Sequence, residues 1–379
     1  MSNVVHPFTL AVPDSALADL RRRLEATRWP EKEPVSDWSQ GVPLANLQAL
    51  VDYWLTKYDW RRCEAMLNKF GQFKTEIDGL GIHFLHLRSP NANALPLVLS
   101  HGWPGSVIEF HKVLGPLTDP AAYGGDPADA FHVVAPSLPG FGFSDKPAET
   151  GWKVQRIGKA WHALMTRLGY TRYVAQGGDW GSVVTTAMGV QRPKGLEAIH
   201  VNLPLVMPEG PFENLTPAEN DMLQSMLFYD AWDSGYSKQQ STCPQTIGYS
   251  LADSPTGLAG WIFEKFWRWT DCAGDPLNAL SYDELIDNLM LYWLPNNGAS
   301  SARIYWESFV GGLGAVELHI PTGVSVFPKE IYRAPRSWAD RCMHNIIHWN
   351  ELERGGHFAA FEQPDLFVQE VRDCFRQVR

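Results

Sequence analysis

The sequence predicts an α/β fold: a mostly parallel central sheet with helices on both faces, an N-terminal helical extension and a helical insertion. Three observations carry that prediction. Short apolar runs bounded by Gly, Pro and Asn recur after Gly79. Helix-compatible stretches separate several of these runs, the arrangement of buried parallel strands joined by crossovers. Between about 208 and 310 the alternation lapses into a segment dense in Trp, Tyr and Phe, such as Trp232, Trp261, Trp267, Trp269 and Trp293.

In chain order, Asp14 stands where a helix cap is expected, ahead of Leu17, Leu20 and Leu24 on one face, and Pro30 and Pro34 stop that helix. A second helix starts near Pro43 with the stripe Leu44, Leu47, Leu50 or Val51, and Trp54, and a third carries Cys63, Met66, Leu67 and Phe70. These stripes read as packing. Strands are expected at 82–87, 96–99, 131–135, 173–176, 198–203, 324–327 and 345–349, with helices at 154–168 and Pro364–Phe375. The aromatic segment reads as a helical cap over one end of the sheet, suited to an apolar, water-poor cleft. The resulting division is 1–90 for the N-terminal segment leading into the first strands, 91–207 and 311–379 for the core, and 208–310 for the cap.

Composition narrows the class. Among 379 residues, 45% are apolar and 20% charged, the balance of a globular chain. Lys plus Arg at 32 against Asp plus Glu at 42 leaves a net charge of −10, which argues against a nucleic-acid or anionic-membrane partner. Cys63, Cys243, Cys272, Cys342 and Cys374 are odd in number and form no C-x-x-C pair, so each is expected to be a buried thiol rather than part of a disulfide framework or zinc site. No run approaches the ~20 apolar residues of a spanning helix. Residues 1–10 lack the basic and apolar regions of a signal peptide, and Glu25, Arg28 and Glu31 follow Arg21-Arg22-Arg23 where an export signal would be apolar. The expected location is cytoplasmic.

Chemistry concentrates in three motifs. Gln176-Gly177-Gly178-Asp179-Trp180-Gly181-Ser182 follows an apolar run and precedes a helix-compatible stretch, the form of a nucleophile elbow with a carboxylate where a serine usually stands. No G-x-S-x-G occurs in the chain, which counts against a serine esterase. A carboxylate nucleophile displaces a leaving group from sp³ carbon and forms an alkyl ester that water must cleave. The competing reading of the motif is a plain Gly/Asp turn.

Ser100-His101-Gly102-Trp103-Pro104-Gly105-Ser106 follows the strand at 96–99. Such a loop aims a backbone N–H at the elbow, making the N–H groups of Trp103 and Trp180 the candidate oxyanion hole. His101, beside a glycine turn, reads as structural. Arg354-Gly355-Gly356-His357-Phe358 lies late in the chain, fitting the nucleophile–acid–histidine order of α/β-hydrolases with His357 as base. Glu330, just after the strand at 324–327, is the candidate acid, with Asp340 and Glu353 as competitors. His83 and His86 lie on opposite faces of a strand, and His344 and His348 lack a zinc context. No phosphate-binding glycine loop is found, so neither a metal nor an organic cofactor is expected.

With these pieces in place, the chain resembles the microsomal-type epoxide hydrolases of the α/β-hydrolase superfamily over nearly its whole length. The resemblance includes Asp19-Leu20-Arg21-Arg22-Arg23-Leu24, Arg28-Trp29-Pro30 and Gln72-Phe73-Lys74-Thr75-Glu76-Ile77-Asp78-Gly79-Leu80, as well as the three motifs above. It implies Asp179 as nucleophile, His357 as base and Glu330 as acid in Phe327-Pro328-Lys329-Glu330. It also implies Tyr236 and Tyr305 as the phenols that bind the oxirane oxygen. Phenols with pKa ~10 stay protonated at neutral pH and can donate to a developing alkoxide. Tyr229, Tyr249, Tyr282 and Tyr292 read as packing. Animal members of this branch carry a membrane anchor ahead of the segment; this chain starts at the segment, and no anchor is carried over.

The expected reaction is hydrolysis of a small-molecule epoxide with a bulky apolar or aryl substituent to a vicinal diol through an aspartyl ester. The alternatives are a haloalkane dehalogenase using the same Asp and a ligand-binding relative without catalysis. Monomer and homodimer are equally compatible with the sequence.

Overall fold

The computed structural model describes residues 4–206, 212–309 and 316–379. Among these, nine strands form one sheet: β1 (Val5–Phe8), β2 (Gln72–Ile77), β3 (Leu80–Leu87), β4 (Leu95–Ser100), β5 (Phe131–Pro136), β6 (Tyr173–Gly177), β7 (Leu196–Val201), β8 (Thr322–Val326) and β9 (Ile346–Glu351). Their order is β1-β2-β3-β5-β4-β6-β7-β8-β9. The pairings β1–β2, β2–β3 and β3–β5 are antiparallel and the remaining five are parallel.

Alternation along the central strands feeds two cores. Leu97 and Leu99 pack with Val133, Val174, Phe367 and Val371 on one face. Val98, between them, joins Ala175, Ile199, Trp161 and Met188 on the other. Helices Val154–Arg167 and Trp180–Gln191 cover the second face, and Pro364–Phe375 covers the first. Burial on both faces is why these strands read as continuous apolar runs.

The extended chain begins earlier than expected. β2 precedes Gly79, and Asp78 and Gly79, at φ 51° and 78°, form the two-residue turn that folds it back onto β3. Lys74 and Glu76 interrupt its apolar pattern, hiding it from a periodicity reading. β1 is a four-residue edge strand interrupted by Pro7, where the missing N–H is tolerated. Asp14 is the first residue of helix Asp14–Glu25, not its cap. Pro13 holds the cap position, and the Asp14 carboxylate pairs with Arg61.

Helices Pro217–Phe228, Gly235–Thr242, Pro244–Asp253, Pro255–Trp269, Tyr282–Trp293 and Gly298–Phe309 form a block. The expected cap boundaries at 207/208 and 310/311 lie outside the described residues. The N-terminal helices Asp14–Glu25 and Leu44–Thr56 pack on Pro255–Trp269. Arg62 clamps buried Asp287 at 2.7 and 2.8 Å, while the Tyr58 hydroxyl donates to the same carboxylate at 2.7 Å. Cys63, Cys272 and Cys374 are buried, but Cys243 is exposed and Cys342 only partly covered. Cys243 sits at the surface junction between two helices, which explains its departure from the expected burial. Among the described residues, no helix is long and apolar enough to cross a membrane.

Candidate active site

β6 ends at Gly177 and the next helix starts at Trp180, so the chain reverses within two residues. Asp179 absorbs the turn at φ 50°, ψ −129°, a region that strains any side-chain-bearing residue by about 1–3 kcal/mol. The flanking glycines are steric requirements. A Cβ on Gly177 would stand 2.7 Å from Thr185 Oγ1, and one on Gly181 would stand 2.9 Å from His101 O. The strained turn lifts the Asp179 carboxylate off the C-terminal end of the sheet.

The loop after β4 meets that carboxylate. The Trp103 N–H donates to Asp179 Oδ1 at 2.7 Å. The loop is held from the helical block, where Asn288 Nδ2 donates to Pro104 O and the Tyr292 hydroxyl donates to Gly105 O, both at 2.7 Å. His101 is structural: the Leu138 N–H donates to its Nε2 at 3.2 Å, and burial pushes its pKa down to about 4. Trp180 follows Asp179 directly, and its indole lies edge-on to Tyr305 at 4.8 Å. Among the described residues no hydrogen bond runs from the Trp180 N–H to the carboxylate, so only the Trp103 donor is engaged.

His357 bridges two carboxylates. Its Nε2 lies 3.2 Å from Asp179 Oδ2 and its Nδ1 lies 2.6 Å from Glu330 Oε1. The loops carrying His357 and Glu330 are tied by the Lys329 N–H donating to Gly355 O at 3.1 Å. The His357 N–H is anchored on Trp269 O at 2.8 Å. Burial alone would lower the imidazole pKa, but the charges of Glu330 and Asp179 outweigh it and hold it well above 6.5. The rival acids are elsewhere: Asp340 pairs with Arg336 at the surface and Glu353 is exposed.

Tyr236 and Tyr305 project from helices Gly235–Thr242 and Gly298–Phe309 and are buried. Tyr236 stacks on Trp103 at 4.9 Å and lies edge-on to Tyr305 at 5.8 Å. Burial, reinforced by neighbouring phenols and Asp179, raises both hydroxyls well above 10. They therefore stay protonated and able to donate. A cavity of about 400 Å³ reaches Asp179, Trp180, Tyr229, Tyr236, Tyr305 and Phe309, among others. A groove of about 800 Å³ between the N-terminal segment and Pro255–Trp269 is larger. It reaches none of these groups, so size does not identify the site.

Several contributors escaped the sequence reading. The Tyr229 hydroxyl, assigned to packing, hydrogen-bonds the Tyr236 hydroxyl at 2.9 Å and lines the cavity. A π-turn over Tyr229–Asp233 breaks the helical spacing that could have related the two. Buried Lys265 pairs with Asp233 at 2.9 Å and sits 4.5 Å over the Tyr236 ring. Glu109 also escaped notice, in a short 3₁₀ turn. One group of side chains among the described residues stands close enough to hold an ion: Glu317, His319 and His344, all exposed. It lines neither the cavity nor the Asp179 turn.

Comparison with known proteins identifies the family. Residues 5–110 match the family model described as the epoxide hydrolase N terminus, and residues 96–238 match the alpha/beta hydrolase fold. The chain is 60% identical over 376 residues to a Stigmatella aurantiaca protein carrying a provisional epoxide hydrolase name, covering 99% of this chain and 86% of that one. It is 35% identical to epoxide hydrolase 1 of Sus scrofa, over 97% of this chain and 88% of the pig protein. The solved structure of Aspergillus niger epoxide hydrolase superposes with a TM-score of 0.89 at 34% identity, over 99% of this chain and 97% of that one. The chain belongs to the epoxide hydrolases, enzymes that hydrolyse epoxides on an α/β-hydrolase fold.

Proposed function

We propose that this enzyme converts an apolar or aryl epoxide to a vicinal diol in two steps, with Asp179 as the nucleophile and His357 as the base. The observation carrying this reading is the position of the Asp179 carboxylate, 3.2 Å from His357 Nε2 on one side and facing the tyrosine-lined cavity on the other. The helical block over 217–309 acts as the cap that supplies the tyrosines.

In the first step Asp179 Oδ attacks an oxirane carbon and the C–O bond to the ring oxygen breaks. The developing alkoxide takes hydrogen bonds, then a proton, from Tyr236 and Tyr305, whose raised pKa values keep them in the donor form. In the second step His357 Nε2 takes a proton from water as its oxygen bonds to Asp179 Cγ. Glu330 fixes the imidazole tautomer and stabilises the imidazolium. The N–H groups of Trp103 and Trp180 hold the oxyanion. On its collapse the departing alkoxide takes the proton from His357 and the diol is released. The second water proton, left on the Asp179 carboxyl, passes to the phenolate formed in ring opening across the cavity they share, which restores both carboxylate and phenol. The largely apolar lining of the cavity supports an apolar or aryl substituent on the epoxide.

The test is one turnover of His357→Gln with styrene oxide. The expected result is an adduct equal in mass to the epoxide on the peptide carrying Asp179, with little diol released. An unmodified peptide together with diol release would exclude the ester.

A further inference from the structure

Asp179 separates two spaces. On the far side from the 400 Å³ cavity lies a second cavity of about 10 Å³, and Asp179 is the one lining residue the two share. A single water needs roughly 10–15 Å³ on this measure. The small cavity is lined by His357, Glu109, Gln176 and Asn202 as well as Asp179. Gln176 is fully buried and donates through Nε2 to Asn202 Oδ1 at 2.6 Å. Its Oε1 has no hydrogen-bond partner among the described residues. Leaving a buried acceptor unpaired is unfavourable, and a water donating to it removes that penalty.

Glu109 reaches this cavity only because residue 105 is glycine. A Cβ on Gly105 would stand 2.5 Å from Glu109 Cδ. Its neighbours Val107, Ile108 and Phe110 are buried, whereas Glu109 keeps some accessible surface. Desolvation nonetheless raises its carboxyl to about 8, with Asp179 and Glu362 adding to the rise and His357 opposing it. Both facts hold if the accessible surface faces the cavity rather than bulk solvent. A carboxyl that is neutral at pH 7 avoids repelling Asp179 and presents a carbonyl oxygen as acceptor.

We infer that this cavity is the seat of the hydrolytic water and that Glu109 positions it. The water donates one hydrogen to His357 Nε2 and the other to the Glu109 carbonyl, with Gln176 Oε1 as the alternative acceptor. A lone pair is thereby left for Asp179 Cγ. As the O–Cγ bond forms, the first proton passes to His357. When the Cγ–O(alkyl) bond breaks, the departing alkoxide takes that proton, and the second water proton, left on the Asp179 carboxyl, returns to the phenolate formed in ring opening on the cavity side. Water and epoxide thus approach the same carboxyl group from opposite spaces, and hydrolysis does not wait for the alkyl group to move.

This inference rests on the covalent ester proposed above. In single-turnover experiments with styrene oxide, tryptophan fluorescence follows the two half-reactions and mass spectrometry follows the Asp179 peptide. Glu109→Leu is expected to slow ester decay about tenfold or more, with ester accumulating and alkylation unchanged within about twofold. Glu109→Gln, which retains a carbonyl acceptor, is expected to restore most of the decay rate. Ala360→Val adds methyl groups beside the cavity without removing a polar group and is expected to slow decay selectively if Glu109→Leu does not fold. Equal slowing of both half-reactions, or unchanged ester decay in Glu109→Leu and Ala360→Val, would overturn the water site. Absence of any adduct in His357→Gln would overturn the ester itself, so the two failures are separable.

Discussion

Gly102→Ala tests how tightly the proposed nucleophile is held. Gly102 faces the Asp179 side chain so closely that an added Cβ would meet its Oδ1, Cβ and Cγ, the last at 2.6 Å. Ordinary van der Waals contact begins near 3.4 Å, so the carboxyl must retreat by about the 0.8 Å between those distances. Rotation about χ1 cannot relieve the clash, because Asp179 Cβ itself is in contact. The retreat has to come from the strained backbone turn or from the loop bearing the Trp103 donor. A misplacement of about 1 Å at a reacting group costs on the order of 10²-fold in rate, or about 2.7 kcal/mol of barrier. Overpacking adds about 1–3 kcal/mol of destabilisation. The expected result is a kcat/KM for diol formation from styrene oxide about 30- to 100-fold below wild type, in a protein that still unfolds cooperatively. Gly260→Ala is the matched control. It lies inside helix Pro255–Trp269, an added methyl meets Leu47 Cδ2 at an ordinary 3.4 Å, and the gain in helix propensity is about 0.5–1 kcal/mol with activity unchanged. A folded Gly102→Ala enzyme within about threefold of wild-type kcat/KM would refute the claim that carboxylate position limits the reaction.

Tyr236→Phe and Tyr305→Phe are each expected to slow ring opening about 10²- to 10³-fold while leaving ester decay unchanged in rapid-quench measurements. Equal slowing of decay would remove the phenols from the first step. Glu370 supplies a pH test remote from the site. Burial alone would raise its carboxyl, but hydrogen bonds from His348, Ser325 and Asn350 hold it at about 2. Because its pKa is depressed on folding, its contribution is present above the unfolded value of 4.5 and is lost as pH falls through about 2. Glu370→Gln should therefore lower the thermal midpoint at pH 6 and flatten its fall between pH 4.5 and 2. Parallel midpoint curves for variant and wild type would contradict the assignment.

Much of the central sheet was legible because its strands are buried on both faces and joined by amphipathic helices, so period and run length alone locate them. Legibility failed at the edges. β2 carries Lys74 and Glu76 toward solvent, and β1 has four residues and a proline, so neither forms an apolar run. The Asp179 turn was readable because glycines at 177 and 181 leave a signature in the sequence that their steric environment explains. Glu330 was legible as a candidate from its place just after a strand, but what separates it from Asp340 and Glu353 is the Lys329–Gly355 hydrogen bond that stitches its loop to the loop of His357, a pairing between segments that no local pattern encodes. Tyr229, Lys265 and Glu109 were illegible for a related reason. Their relevance lies in what faces them across the fold, and each occupies a local context typical of packing or a solvated surface.

The electrostatics of His357 give the two proposed steps their order. In the free enzyme the imidazole lies between Glu330 and Asp179, and both charges hold its proton on. A protonated His357 cannot act as a base, so water in the rear cavity is not activated while Asp179 is a free carboxylate. Forming the ester removes the Asp179 charge. One of the two interactions raising the imidazole pKa disappears, while the burial that lowers it remains. Its affinity for the proton therefore falls at the moment a base becomes necessary. Glu330, 2.6 Å away and wholly buried, keeps the ring oriented through the change and stabilises the imidazolium when the proton returns from water. In the proposed mechanism the alkylation that consumes the nucleophile is thus the event that arms the base, and this coupling requires the charge of Asp179 as well as its reach. An Asp179→Asn side chain would preserve the shape of the site but supply neither the attack nor the electrostatic change.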